Sequence, residues 1–168
     1  MIKQYDNVLN EELINNIMEY FKSILGRDVW SSNSGWDQDL CLISANTLTH
    51  KISDKFLRKK IKKSIEEAIK VEFDEEDLHF SPWIYVWSGG SYITWHSDNV
   101  YPYNGTIYLN QEWDSNDGGL FLYEENHTNE IKGIEPTYNS MVVNSSIENN
   151  PHNNHCVTCI VPGTTKKR

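Results

Sequence analysis

The hydrophobic pattern of this chain changes period once, near Pro82, and that change limits the folds open to it. Before it, apolar residues recur at helical spacing. Leu13, Ile14, Ile17, Phe21, Ile24 and Leu25 form one stripe, with Asp6 or Asn10 as the cap and Gly26 as the stop. A second helix starts after Ser53 and carries Leu57, Ile61, Ile65, Ala68 and Ile69. Between them Val29-Trp30 and Leu40-Cys41-Leu42-Ile43 read as short strands. After Pro82 the apolar runs are short, β-branched and aromatic, and Gly, Asn and Asp separate them. They fall at 83–87, 92–96, 106–110, 120–123, 141–143 and 156–161. Strands so spaced predict an antiparallel sandwich or barrel. The expected fold class is mainly β with N-terminal helices (α+β). No repeat or linker divides the chain, so one domain is expected over 1–168, with helical support over about 1–80 and a β-barrel over about 81–168.

Chemistry concentrates at the end of the 92–96 run. His96 and Asp98 stand two residues apart, and on a strand such residues share a face. A second histidine-rich run, Pro151-His152-Asn153-Asn154-His155, lies downstream. Two imidazoles and one carboxylate bind Fe(II) on one face of an octahedron and leave positions open for oxygen chemistry.

The segments around these residues occur in a recognisable order. After Asp98 come Tyr108-Leu109-Asn110-Gln111-Glu112-Trp113, then Gly118-Gly119, then Glu135-Pro136, then the distal histidines. The chain from about Tyr85 onward thereby resembles the 2-oxoglutarate- and Fe(II)-dependent prolyl hydroxylases, particularly the oxygen-sensing branch and its microbial relatives. The resemblance implies a double-stranded β-helix, a jelly-roll barrel with helices packed on one side. It implies Fe(II) held by His96, Asp98 and a distal histidine, 2-oxoglutarate as co-substrate, and possible use of ascorbate. Asn150-Pro151-His152 copies the local sequence at the family's distal histidine. His155-Cys156-Val157, with Gly163 eight residues on, copies its spacing. The spacing favours His155.

Tyr108 matches the tyrosine that hydrogen-bonds the distal carboxylate of 2-oxoglutarate. Tyr85 and Tyr92 match two tyrosines upstream of the metal motif, provided one residue is inserted between Tyr92 and His96. The family's co-substrate cation falls on Thr164 or Thr165 when counted from His155, so either the sequence is truncated before the strand that normally follows, or Lys166, Lys167 or Arg168 supplies the charge. Arg168 is the expected one, because a guanidinium pairs with a carboxylate through two hydrogen bonds. The implied activity is hydroxylation of a C–H bond, with a peptidyl proline or a small molecule as substrate and succinate and CO2 as products. Asp98 favours hydroxylation over halogenation, since a halide would need that coordination position. The alternative is a non-catalytic jelly-roll module that keeps the metal motif without a working 2-oxoglutarate clamp.

Other features have plainer readings. A net charge of −9 argues against a phosphate backbone as partner. The basic run Lys55, Arg58, Lys59, Lys60, Lys62 and Lys63 reads as a solvated helix face. No stretch approaches the ~18 apolar residues of a membrane helix, so no membrane partner is expected. Three cysteines and no secretory leader point to a reducing, cytoplasmic setting. Cys156 and Cys159 diverge if they lie on a strand and read as small apolar residues. Trp83, Trp87, Trp95 and Trp113 read as barrel core. Asn99, Val100, Tyr101 and Tyr103 follow the metal motif in a loop, where they could touch substrate.

Overall fold

The computed structural model describes residues 2–32, 44–73, 80–98, 102–125, 128, 130–145 and 154–164. The strands are β1 (Ile2–Asp6), β2 (Ser31–Ser32), β3 (Ser44–Lys51), β4 (Trp83–His96), β5 (Tyr103–Ile107), β6 (Phe121–Glu124), β7 (Ile131–Ile134), β8 (Ser140–Ser145) and β9 (His155–Val157). The helices are α1 (Glu11–Ile24) and α2 (Lys55–Ile69). Three strands form one sheet in the order β1-β8-β5, and six form another in the order β2-β3-β4-β9-β6-β7. Every pairing between these strands is antiparallel. The described residues are therefore mainly β with two α-helices, as the periodicity predicts. Among the described residues no helix is long and apolar enough to cross a membrane.

Both helices form where their stripes lie. Asn10 caps α1 by accepting a hydrogen bond from the Leu13 amide at 2.8 Å, and Glu11 and Glu12 complement the first turn. Asp54 caps α2 by accepting from the amides of Phe56 and Leu57. Leu57, Ile61, Ile65 and Ile69 are buried, while Lys55, Lys59, Lys60 and Lys63 are exposed. The helices cover the outer side of the three-stranded sheet. Met141 and Val143 of β8 share a core with Leu13, Ile17, Ile61 and Ile65. Val142, between them, faces the other way and joins a second core with Trp87, Ile93, Tyr108, Phe121, Val157 and Ile160. The period of two along β8 thus joins two layers.

The N-terminal region differs from the expected helical support, because it also supplies β1, β2 and β3. β1 and β3 have weak strand signals. β3 carries its polar residues inward: Thr47 and Thr49 are fully buried and Leu48 is exposed. Threonine suits a strand by its branched Cβ, and the Thr49 hydroxyl is satisfied by the Ser31 carbonyl at 3.1 Å. The strand near Trp30 is Ser31–Ser32, and the run 40–43 lies outside the described residues. The two runs at 83–87 and 92–96 are one strand, β4, interrupted in its pairing with β3 between Ala45 and Thr47. The run 106–110 is shifted toward the N-terminus as β5, and β7 was not anticipated.

Candidate metal centre

β4 ends on His96, directly opposite His155 at the start of β9. Residues paired across an antiparallel ladder share a face. Between Ile93 and His96, β4 holds one residue more than β9 holds between Val157 and His155. This bulge resets the alternation, so Ile93 and His96 face inward together although they are three apart. It also brings His96 Nδ1 to 2.8 Å from the Thr94 carbonyl. A carbonyl only accepts, so Nδ1 carries the proton and Nε2 keeps its lone pair for the site.

Asp98 does not reach the site as a strand neighbour. β4 has ended, and the carboxylate comes from the connection that follows. Its Oδ2 lies 3.2 Å from His155 Nε2 and its Oδ1 3.8 Å from His96 Nε2. The Asn104 side chain, on β5, hydrogen-bonds the same carboxylate. Burial pushes the Asp98 carboxyl up; the His155 hydrogen bond, the charge that His155 and His96 carry when protonated in the metal-free site, and Asn104 outweigh it and hold the group below its ordinary value.

His155 is buried, and its ring stacks on Phe121 with centroids 5.0 Å apart and planes at 21°. Tyr123 stands opposite it on β6. Ligating atoms from His96, Asp98 and His155 all lie within 4.8 Å of one another. Ligands on one octahedral face at ~2.1 Å from an ion stand ~3 Å apart, so the three side chains fit a divalent metal. Two neutral imidazoles and a carboxylate are the donor set for Fe(II) with open positions.

The other predicted residues divide. Tyr108 lies just past β5, is 2% exposed, and belongs to the core between the sheets. Tyr85 packs against that core from β4. Tyr92 is exposed, on the face of β4 opposite that of Ile93, and a bulge lies between Ile93 and His96. Thr164 donates its hydroxyl to Asp117 at 3.3 Å. His152, Thr165, Lys166, Lys167, Arg168, Asn99, Val100 and Tyr101 lie outside the described residues. Tyr103 packs on the helix side, edge-on to Phe73.

Trp87 is core and Trp113 half-buried, but Trp95 is 44% exposed and departs from the core reading. With Glu124, Ile131 and Asn154 it lines a shallow cleft of about 300 Å³. Cys156 is buried, which pushes its thiol up, and Cys159 is exposed; both are free. Sequence reasoning missed Phe121 and Asn104. Their contacts depend on strand register, which no local motif announces.

A family model described as the 2OG-Fe(II) oxygenase superfamily matches residues 82–167. Among curated protein sequences none matches significantly. Solved structures do. A Pseudomonas putida prolyl-4-hydroxylase is 13% identical with a TM-score of 0.67, covering 96% of this chain and 86% of that one. A Trichoplax adhaerens prolyl hydroxylase, in complex with a hypoxia inducible factor oxygen degradation domain peptide fragment, is 14% identical with a TM-score of 0.69, covering 96% and 78%. A Burkholderia pseudomallei oxidoreductase of the 2OG-Fe(II) oxygenase family is 11% identical with a TM-score of 0.59, covering 96% and 80%. At these identities the likeness is one of fold.

Proposed function

The chain belongs to the 2OG-Fe(II) oxygenase superfamily, and from that premise we propose that it hydroxylates a C–H bond of a peptide substrate, with proline as the first residue to test. The family implies Fe(II) and 2-oxoglutarate. The carrying observation is the convergence of His96, Asp98 and His155 on one inward face. We read the chain as one domain, its two sheets as the faces of a jelly-roll barrel, and its setting as cytoplasmic. The core shared by Trp87 and Phe121 of one sheet and Val142 of the other supports the barrel reading.

In this reading His96 and His155 give Nε2 and Asp98 gives a carboxylate oxygen to iron. When bound, iron with 2-oxoglutarate and O2 supplies the oxidant: one oxygen atom enters the substrate C–H bond, and 2-oxoglutarate leaves as succinate and CO2. The chain's part is position and dryness. The Thr94 carbonyl holds the His96 ring, and Phe121 fixes His155. Val157, Ile160 and Trp87 exclude water below the site. The Tyr108 hydroxyl donates to the distal carboxylate of 2-oxoglutarate, Tyr85 lines the same pocket, and Arg168 supplies the charge that Thr164, turned to Asp117, does not. The Trichoplax protein's peptide complex supports a peptide substrate here.

The test is Fe(II)-dependent release of succinate from 2-oxoglutarate, raised by members of a proline-peptide panel. Turnover with no peptide response would remove the peptide reading. An iron-loaded protein that binds no 2-oxoglutarate would instead favour a non-catalytic metal-binding module, which the threonine at the expected cation position keeps in view.

A further inference from the structure

The inner face of the three-stranded sheet carries polar side chains level with the metal site. Along β8 the residues facing the second sheet are Ser140, Val142 and Asn144. Asn144 is paired directly with Asn104 of β5 on one side and with Ile2 of β1 on the other. Asn104 hydrogen-bonds Asp98, so this row stands level with the metal ligands. Asn144 is more than nine-tenths buried, and its Oδ1 has no hydrogen-bond partner among the described residues. A buried carboxamide oxygen without a partner costs roughly 1–3 kcal/mol. An aliphatic residue at this position would avoid that cost, as Val142 does one step deeper.

The carboxamide therefore stands where a ligand would complete it. A 2-oxo acid chelated to a metal through its keto oxygen and one carboxylate oxygen leaves its other carboxylate oxygen needing a donor. Asn104 is committed to Asp98. Asn144, turned about its last torsion, offers Nδ2 at the same level, since the two ends of a carboxamide exchange by a half-turn. We propose that Asn144 is a binding residue for the metal-proximal carboxylate of the 2-oxo acid, complementing Tyr108 at the distal end. This rests on the Fe(II)/2-oxoglutarate reading of the site.

The experiment compares two acids on the full chain under anaerobic conditions with Fe(II), following the metal-to-ligand absorption band. 2-Oxoglutarate has both ends; pyruvate has only the metal-proximal one. Asn144→Leu is expected to weaken both acids by the same factor, about tenfold, while Fe(II) affinity, measured separately without either acid, stays within about twofold. Tyr108→Phe should weaken 2-oxoglutarate alone. Asn144→Asp, which is isosteric and keeps the site polar, should weaken both acids more than the Leu variant, by like-charge repulsion. Unchanged binding of both acids in the Asp variant, or a loss confined to 2-oxoglutarate, overturns the assignment. A loss of Fe(II) affinity matching the loss of acid binding overturns it too, because Asn144 would then act through the metal ligands. If the parent binds Fe(II) and neither acid, the co-substrate reading itself fails and the assignment falls with it.

Discussion

His155 is a residue whose loss the structure cannot absorb. It is buried, stacked on Phe121 and 3.2 Å from the Asp98 carboxylate. Its replacement by alanine should abolish Fe(II) binding measured by titration, whereas His152→Ala should leave it near the parent's. The reverse result would move the distal ligand to His152. Tyr108→Phe tests the other end of the pocket. One hydrogen bond to a charged group is worth ~1.5–3 kcal/mol, so the apparent 2-oxoglutarate constant should rise roughly tenfold or more with iron affinity unchanged. No rise would take Tyr108 out of the site. His96, Asp98 and His155 could be picked from the sequence because a short motif and a fixed spacing announce them. Asn104 and Asn144 could not. Neither has an informative neighbour, and only the β5–β8 register sets Asn144 opposite Asn104, which reaches Asp98.

At the scale of elements, the helices were legible and several strands were not, for one reason. A helix that buries a single stripe shows an apolar recurrence of 3.6, as Leu57, Ile61 and Ile65 do. β3 hides its inward face in Thr47 and Thr49, and β1 reads as mostly polar. The β4 bulge was foreshadowed only as a one-residue excess before His96. It gives a length-dependent prediction. Deleting Trp95 removes the extra residue, so Ile93 and His96 remain opposite Val157 and His155 and still face inward. The contact of His96 with the Thr94 carbonyl is then lost, and Fe(II) affinity should fall about 10–100-fold without disappearing. Deleting both Thr94 and Trp95 turns His96 to the outer face and should eliminate binding, with circular dichroism checking that the sheet survives. Equal binding by the two deletions would show that the register does not aim His96.

Seen as a whole, the described part of the molecule keeps its support and its chemistry in two cores on opposite faces of the three-stranded sheet. The helices pack on Met141 and Val143, and the pocket side packs on Val142 with Tyr108 and Phe121. The sequence shows Met141, Val142 and Val143 as one apolar run and cannot say that the run serves two layers, because a strand buried on both faces loses its alternation. Adjacent valines on β8 therefore report on different halves of the protein. Each is almost fully buried, so replacement by alanine should cost roughly 1–3 kcal/mol through lost burial and the cavity left behind. The Val143→Ala cavity opens beneath the helices. It should lower Tm and leave 2-oxoglutarate affinity unchanged. The Val142→Ala cavity opens beside Tyr108 and Ile160, so it should lower Tm by a similar amount and weaken 2-oxoglutarate binding as well. Thermal melts and anaerobic titrations of the two variants decide the matter. If both mutations weaken the co-substrate equally, the sheet transmits disturbance between its faces and the two cores act as one.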